Sequence, residues 1–123
     1  RWRLRPYGLP RWRFEGAAMT EADVCPGCGR AGGVRPDVVW FGEVPHRMDE
    51  ILDALARCDL FVAIGTSGAV YPAAGFVAEA ARAGARTLEI NLERSDVSAL
   101  FDETRRGKAG ETVPAWVGEA LAR

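Results

Sequence analysis

The chain has 123 residues, of which 48% are hydrophobic, and its formal net charge at pH 7 is −1. This length and composition fit one domain with an ordinary hydrophobic core. The near-neutral charge gives no general attraction for nucleic acid or an anionic membrane, and no apolar run approaches the roughly 20 residues that span a bilayer. We therefore expect a cytoplasmic protein without a membrane partner.

The amino-terminal residues alternate arginine with aromatic side chains and are interrupted by proline and glycine. At best, "WRLR" at residues 2–5 forms a short strand. Arginine interleaved with Trp2, Tyr7 and Trp12 could bind single-stranded nucleic acid. The acidic balance of the remaining chain favours a plainer interpretation, a solvated arginine strand, and makes a nucleic-acid partner the weaker hypothesis.

Cys25 and Cys28 are spaced as Cys-Pro-Gly-Cys, which in a reducing compartment indicates a metal site before a disulfide. A closed zinc site needs four nitrogen or sulfur ligands, and this motif supplies two. His46 and Cys58 could complete the set on paper. However, Cys58 ends an amphipathic pattern and is better explained as a small buried apolar residue. His46 is better explained as a solvated loop residue.

From residue 36 onward, apolar runs alternate with helical patterns, which is typical of an α/β fold. The pattern predicts strands over residues 37–41, 59–65 and 86–91, and helices over residues 47–58, 71–84 and 113–123. The run 59–65 is nearly continuous in apolar residues, as a strand covered on both faces would be.

Three loops follow the predicted strands, at the edge where ligands bind in open parallel sheets. "GTSG" at residues 65–68 could hold a phosphate or ribose with its backbone N–H groups and two hydroxyls, or could simply turn the chain and cap the next helix. Asn91 and Glu93 follow the next strand as polar groups that could bind a ribose hydroxyl, or could form a plain turn. The aromatic "VWFGE" at residues 39–43 suits an apolar substrate chain, although aromatic strands more often belong to the core.

Taken together, "GGVRPDVVWFGE", "AIGTSGAVYPAAGF" and "EINLE" closely resemble the bacterial sirtuins, which are NAD-dependent protein lysine deacylases. The match runs in unbroken order over about residues 25–123. The resemblance implies part of a Rossmann-like parallel sheet with the remnant of a small zinc-binding module. Residues 1–33 would be the partial zinc module, and residues 34–123 the carboxyl-terminal half of the NAD-binding domain.

The resemblance also implies roles for individual residues. The NAD cofactor would be bound by Gly65, Thr66, Ser67, Asn91, Leu92, Glu93 and Ala109. An acyl-lysine protein or peptide would be bound by Val39, Trp40, Phe41, Gly42 and Glu43, the last two pairing the peptide as an added strand. Cys25 and Cys28 would be two of four zinc ligands.

The chain also departs from the family pattern. The family's catalytic His precedes the zinc module, whereas the single histidine, His46, follows the "FGE" segment. The glycine-rich "GAGxS" loop and the "QNxD" segment are missing as well. We therefore expect no catalytic residue in this chain, no activity of the chain in isolation, and self-association through an exposed sheet edge. The alternatives are an inactive nucleotide-binding remnant or a partner-binding fragment. A further hypothesis, the cofactor domain of a thiamine-diphosphate enzyme, is disfavoured by the "FGE" loop beside the CxxC motif.

Overall fold

The computed structural model describes the backbone of residues 2–4, 12–14, 20–36 and 38–122, and side chains within the last two of these ranges. It divides into two compact units, Arg1–Glu43 and Val44–Arg123. The domain boundary predicted between residues 33 and 34 stays a prediction.

The first unit contains a short antiparallel pair, β1 (Trp2–Leu4) and β2 (Trp12–Phe14), in which Trp2 lies opposite Phe14. The strand predicted for "WRLR" is therefore confirmed over Trp2–Leu4. Further along, Val24 and Ala31 form an isolated antiparallel bridge that closes the turn containing the two cysteines.

The second unit is a three-stranded parallel sheet with helices, and it contains most of the described elements. In chain order these are α1 (Met48–Leu55), β3 (Leu60–Ile64), a 3-10 turn (Ala73–Gly75), α2 (Phe76–Arg82), β4 (Arg86–Asn91), a second 3-10 turn (Ser98–Leu100), β5 (Glu103–Arg106) and α3 (Ala109–Leu121). The sheet order is β3-β4-β5, with both pairs parallel. The predicted α/β class with a Rossmann-like parallel sheet is confirmed.

The core of this unit is centred on β4. Thr87, Leu88, Glu89 and Ile90 are all buried, so both faces of the middle strand are covered, and α2 and α3 both pack against it. Leu55 of α1 packs with Ala80 of α2 and Ala85. Small residues on α2 allow this close approach of the helices to the sheet.

Two strand predictions need correction. Residues 38–40 lie in no strand and Phe41 begins a turn, because this segment has no neighbouring strand to pair with among the described residues. β3 is less covered on its faces than predicted, because Leu60 and Ile64 are each 45% exposed. It is also an edge strand among the described residues, since it pairs only with β4.

Three further elements differ from the sequence-based expectation. α2 begins at Phe76, after the 3-10 turn Ala73–Gly75, rather than at the predicted residue 71. β5 was not predicted, because "ETRR" has no apolar alternation. α3 begins at Ala109, four residues before the predicted start at residue 113, and places Pro114 inside its second turn. Of the helices described, none is long and apolar enough to cross a membrane.

Candidate functional site at the carboxyl edge of the sheet

The carboxyl ends of β3, β4 and β5 lie at one edge of the sheet because all three strands run in parallel. Each strand runs directly into a loop at this edge: residues 65–68 after β3, residues 92–95 after β4, and residues 107–108 after β5. Ligands in open parallel sheets bind at this position. Hydrogen bonds of Asn91, the last residue of β4, link the first and third of these loops.

The first loop turns sharply at Gly65, which has a φ of +62° and whose N–H donates to the carbonyl of Ile90 at 3.0 Å. The Thr66 hydroxyl accepts a hydrogen bond from the N–H of Gly68 and the Ser67 hydroxyl one from the N–H of Ala69, both at 3.3 Å. These hydroxyls therefore shape the loop itself. Neither caps a helix, because the next helical turn begins only at Ala73.

The side chain of Asn91, at the end of β4, holds the first loop in place. Its amide nitrogen donates to the carbonyl of Thr66 at 2.6 Å, and its amide oxygen accepts from the N–H of Leu92 at 2.9 Å. One side chain thus fixes both the loop after β3 and the start of the loop after β4. Leu92 and Glu93 beside it are exposed.

Gly68 closes the first loop against the segment after β4. It is buried, its φ is +66°, and a Cβ placed there would lie 2.5 Å from Cγ2 of Val97. The N–H of Asp96 donates to the carbonyl of Ser67 at 3.0 Å. Only glycine fits here, because the backbone conformation and the space both exclude a side chain.

The third loop joins the same edge through Gly107, whose N–H donates to the carbonyl of Asn91 at 3.1 Å. Ala109 follows as the first residue of α3. N–H groups in the first turn of a helix have no partner within the helix and favour negatively charged ligands. The structure therefore brings the predicted residues of all three loops to one edge: Gly65, Thr66, Ser67, Asn91, Leu92, Glu93 and Ala109.

A mainly apolar cleft of about 210 Å³ opens beside the first loop. It is lined by Thr66 and Gly68 from the loop and by apolar side chains that include Phe61, Phe76 and Val97. Pockets for drug-sized ligands are usually about 300–1,000 Å³. The cleft has room for only part of a ligand as large as a dinucleotide.

Sequence reasoning missed a buried polar cluster directly beneath the Glu93 loop. Glu89 is fully buried in β4, and its Oε2 accepts from the Ser98 hydroxyl at 2.6 Å and pairs with Nη2 of Arg106 at 2.8 Å. Burial would raise the pKa of Glu89, but hydrogen bonds from Ser95, Ser98 and Arg106, together with the charge of Arg106, outweigh it and lower the pKa. The signal available in the sequence was a glutamate inside an otherwise buried strand, "TLEI".

The predicted substrate-binding residues lie in the first unit and form a tight turn. The N–H of Glu43 donates to the carbonyl of Trp40 at 3.0 Å, Gly42 has a φ of +86°, and Phe41 at the tip is 89% exposed. The Glu43 carboxylate accepts from the N–H of Trp40 at 3.1 Å and pairs with Arg35 at 2.7 Å. The Arg35 guanidinium also lies over the Trp40 ring, 5.0 Å from its centroid. Val39, Trp40 and Phe41 thus present exposed apolar surface at a turn braced by Arg35 and Glu43.

The Cys25–Cys28 segment forms a compact turn with one buried and one exposed thiol. Cys25 is buried, its N–H donates to the carbonyl of Arg30 at 2.9 Å, and its carbonyl accepts from Gly29. Burial disfavours the thiolate, but hydrogen bonds from the backbone of Gly27 and Cys28 and from the Cys28 thiol outweigh it and lower the pKa of Cys25. The lowered pKa makes the Cys25 thiol easier to deprotonate, as ligation of a metal requires.

A complete zinc site is not found among the described residues. Within residues 20–36 and 38–122, no group of three or more His, Cys, Asp or Glu side chains could hold a metal ion. His46 is half-buried in the turn before α1, so it is less exposed than expected. The Cys58 thiol packs against the α1–α2 core and donates to the carbonyl of Leu55 at 3.4 Å, as expected for a small core residue. The described residues therefore do not fit a four-ligand zinc site.

Comparison with known proteins points to one family. The model of the Sir2 family matches residues 11–72. An NAD-dependent protein deacylase of Caulobacter vibrioides is 63% identical over 100 residues, covering 81% of this chain and 42% of that protein. The NAD-dependent protein deacylase SIR2rp3 of Leishmania major is 56% identical over 101 residues, covering 82% and 42%. The chain therefore spans about two fifths of the length of the curated relatives it matches.

Solved structures give the same result at the level of the fold. The structure of a Sir2 homologue in complex with NAD superposes with a TM-score of 0.82 at 30% identity, covering 98% of this chain and 48% of that one. Sir2Af2 bound to a myristoylated histone peptide superposes with a TM-score of 0.68 at 40% identity, covering 80% and 42%.

Proposed function

Because the chain belongs to the Sir2 family, we propose that it forms the carboxyl-terminal part of the NAD site of a protein lysine deacylase. The enzyme would transfer an acyl group from lysine to the ADP-ribose part of NAD, with release of nicotinamide. The observation that carries this proposal is the meeting of three loops at the carboxyl edge of β3, β4 and β5, joined by Asn91.

This geometry supports the proposed NAD-binding roles. Gly65, Thr66 and Ser67 would approach the nucleotide through a loop whose side-chain hydroxyls are engaged locally, which leaves backbone groups for the ligand. The exposed Glu93 carboxylate would accept a hydrogen bond from a ribose hydroxyl, in the manner of nucleotide-binding folds. The first turn of α3 at Ala109 would contribute backbone groups to the adenine. A Cβ added at Gly65 would have no heavy atom within 4 Å, so the space beside this backbone is open and a ligand could approach it closely.

For the acyl-lysine substrate, the proposal assigns Val39, Trp40 and Phe41 to the acyl chain and Gly42 and Glu43 to the peptide backbone. Support comes from the exposed apolar side chains of this turn and from the acylated peptide bound by the similar Sir2Af2. An added strand uses main-chain hydrogen bonds and therefore tolerates many peptide sequences.

The chemistry of the isolated chain is expected to be incomplete. The only histidine, His46, lies after the position of the family base, and the cleft beside Thr66 is small for a dinucleotide. The chain alone would bind ADP-ribose weakly and would not deacylate. A cytoplasmic location and a zinc module remnant at Cys25 and Cys28 remain predictions.

The test compares binding with turnover. ADP-ribose is titrated into the purified chain by calorimetry, with Glu93→Gln as the variant. Its control is Glu79→Gln, a half-buried glutamate of α2 that pairs with Arg82 on the same helix. We expect weak binding that Glu93→Gln reduces and Glu79→Gln leaves unchanged. NAD-dependent deacylation of an acyl-lysine peptide is then measured for the chain alone and for the chain mixed with the amino-terminal part of the Caulobacter relative.

Turnover by the mixture, with none by the chain alone, would support the proposal. Absence of both ADP-ribose binding and turnover in the mixture would contradict it. Binding without turnover in the mixture would favour the second candidate, an inactive fragment that binds nucleotide. The open outer side of β3 favours that candidate's partner-binding form, in which the chain pairs with a separate polypeptide.

A further inference from the structure

The guanidinium of Arg106 connects the buried Glu89 to the main chain of the loop that follows β4. Its Nη2 pairs with Oε2 of Glu89 at 2.8 Å and donates to the Ser98 hydroxyl at 3.2 Å. Its Nη1 donates to the carbonyl oxygen of Glu93 at 3.0 Å. One planar group therefore links the sheet interior with the backbone at a predicted ribose-binding residue.

The anchor of this arrangement is a buried carboxylate with two partners on one oxygen. Glu89 has no exposed surface and lies in the middle of the central strand. Its Oε2 is also bound by Ser98, whose hydroxyl accepts from the N–H of Ser95 at 2.8 Å. Hydrogen bonds to a buried charge are among the strongest in proteins, because the alternative is an uncompensated charge in a poorly solvated site.

The other end of Arg106 reaches an exposed loop. Leu92, Glu93 and Arg94 are exposed and belong to no helix or strand. The Arg106 side chain is 36% exposed, so it lies at the boundary between the buried cluster and the loop. Arginine suits this position because its planar fork can donate in two directions at once, which a lysine ammonium at the end of a flexible stem does less well.

We propose that Arg106 is a positioning residue for nucleotide binding: its bridge from Glu89 to the Glu93 carbonyl holds the loop so that Glu93 faces the ribose. The assignment rests on the proposed function. Arg106 itself need not touch the nucleotide. Glu89 and Ser98 act behind it as the fixed support.

The adjacent residue Arg105 provides a matched control. It lies next to Arg106 on β5 and forms two ion pairs, with Glu103 at 2.7 Å and with Glu119 of α3 at 2.8 Å. Because neighbouring residues on a strand point to opposite faces, these contacts lie away from the Glu93 loop. Removing Arg105 removes two ionic contacts of a neighbouring arginine without touching the proposed bridge.

The experiment compares Arg106→Lys, Arg106→Met and Arg105→Met in the full 123-residue chain. Lysine keeps a positive charge near Glu89, so this variant stays folded even where Arg106→Met does not. Amide hydrogen exchange is followed at Leu92 and Ser95, whose N–H groups are hydrogen-bonded within the loop. ADP-ribose affinity and the urea midpoint of unfolding are measured on the same samples.

For Arg106→Lys we expect exchange at Leu92 and Ser95 to accelerate about tenfold and ADP-ribose affinity to fall about tenfold, as for the loss of one hydrogen bond from a charged donor. The unfolding midpoint should stay close to that of the parent, and Arg105→Met should change neither loop exchange nor affinity. A purely structural role would instead shift the unfolding midpoint and exchange throughout the sheet.

Unchanged exchange at Leu92 and Ser95 in Arg106→Lys would overturn the proposal, as would faster exchange with unaltered affinity. If the parent chain alone binds no ADP-ribose, the affinity measurement gives no readout, and the proposed function is then judged by turnover in the mixture with the amino-terminal part of the relative. In that case exchange alone decides the positioning of the loop: local acceleration supports the bridge and its absence refutes it.

Discussion

The side-chain amide of Asn91 donates a hydrogen bond to the carbonyl oxygen of Thr66 at 2.6 Å, and so joins the ends of two neighbouring parallel strands. The same side chain accepts from the N–H of Leu92. Asn91 therefore uses a donor and an acceptor at once, which an amide can do and a carboxylate cannot. This explains in physical terms why an asparagine at this position orders two loops of the candidate site.

Replacement of Asn91 by aspartate tests this relationship with almost no change in shape. Asn91→Asp keeps the acceptor for Leu92 but places a charged oxygen against the Thr66 carbonyl. We expect the free energy of unfolding to fall by about 1–3 kcal/mol, measured by urea denaturation. Thr66→Val is the control, because it removes only the weaker hydroxyl contact to Gly68 and should cost less. Equal stability of Asn91→Asp and the parent would show that the hydrogen bond does not hold the loops.

Gly68 gives a prediction about loop closure. Gly68→Ala would force a Cβ to within 2.5 Å of Val97 Cγ2 at a φ of +66°, so we expect destabilisation of about 2 kcal/mol or more. Gly65→Ala has a similar φ but open space around the Cβ, and should lose less. Gly118→Ala in α3 has neither problem and should stabilise the chain by up to about 1 kcal/mol. Thermal unfolding of the three variants should give this order; any other order would contradict the steric argument.

The elements with a strong apolar period could be predicted from the sequence. β3 and β4 lie within one residue of their expected limits and α1 within three, because helical spacing and continuous apolar runs report directly which residues are buried. The polar residues at the ends of these runs also indicated where the loops of the candidate site would meet. The parallel topology then placed them at one edge without further information.

The remaining features depend on contacts that a local pattern does not contain. β5 is short and polar, and it is a strand only because β4 lies beside it. Residues 38–41 have strand-like composition but no neighbouring strand among the described residues, so they form an irregular segment and the start of a turn. The Glu89–Arg106 pair joins residues 17 positions apart, and only the tertiary structure brings them together.

The lowered pKa of Glu89 predicts acid sensitivity. Because the folded-state pKa lies below the unfolded value of about 4.3, the ionised carboxylate stabilises the fold above that value, and this contribution disappears as the pH falls through the folded-state pKa. We expect the unfolding free energy of the parent to fall below about pH 4.3 and that of Glu89→Gln to fall less steeply.

Glu50 offers the matched control for this acid transition. Its pKa is also lowered, by Arg47, but the pair is exposed at the start of α1 and is screened by water. Glu50→Gln should therefore keep a pH dependence close to that of the parent. Identical pH profiles for Glu89→Gln and the parent would show that the buried cluster does not contribute to acid unfolding.

The cysteine pair leads to a prediction on metal removal. The whole chain contains three cysteines and one histidine, and the described residues bring no three His, Cys, Asp or Glu side chains together for a metal. Zinc bound by only Cys25 and Cys28 lacks two ligands of a closed site. We expect treatment with EDTA to leave the unfolding midpoint unchanged. A midpoint that falls with EDTA and returns with one equivalent of zinc would contradict this.

The open side of β3 predicts self-association at high concentration. Its outward N–H and C=O groups face no other strand in the described part of the chain, and Leu60 on the strand is 45% exposed. Unprotected edge strands pair with other chains, and a lysine on such an edge opposes pairing by charge repulsion and desolvation. Sedimentation velocity should therefore show a concentration-dependent increase in mass for the parent and a smaller one for Leu60→Lys. Leu121→Lys is the control, because Leu121 is 84% exposed at the end of a helix and lies on no sheet edge. If Leu121→Lys reduced association as much as Leu60→Lys, general surface hydrophobicity rather than the strand edge would be responsible. A parent that stays monomeric over the whole concentration range would exclude edge pairing.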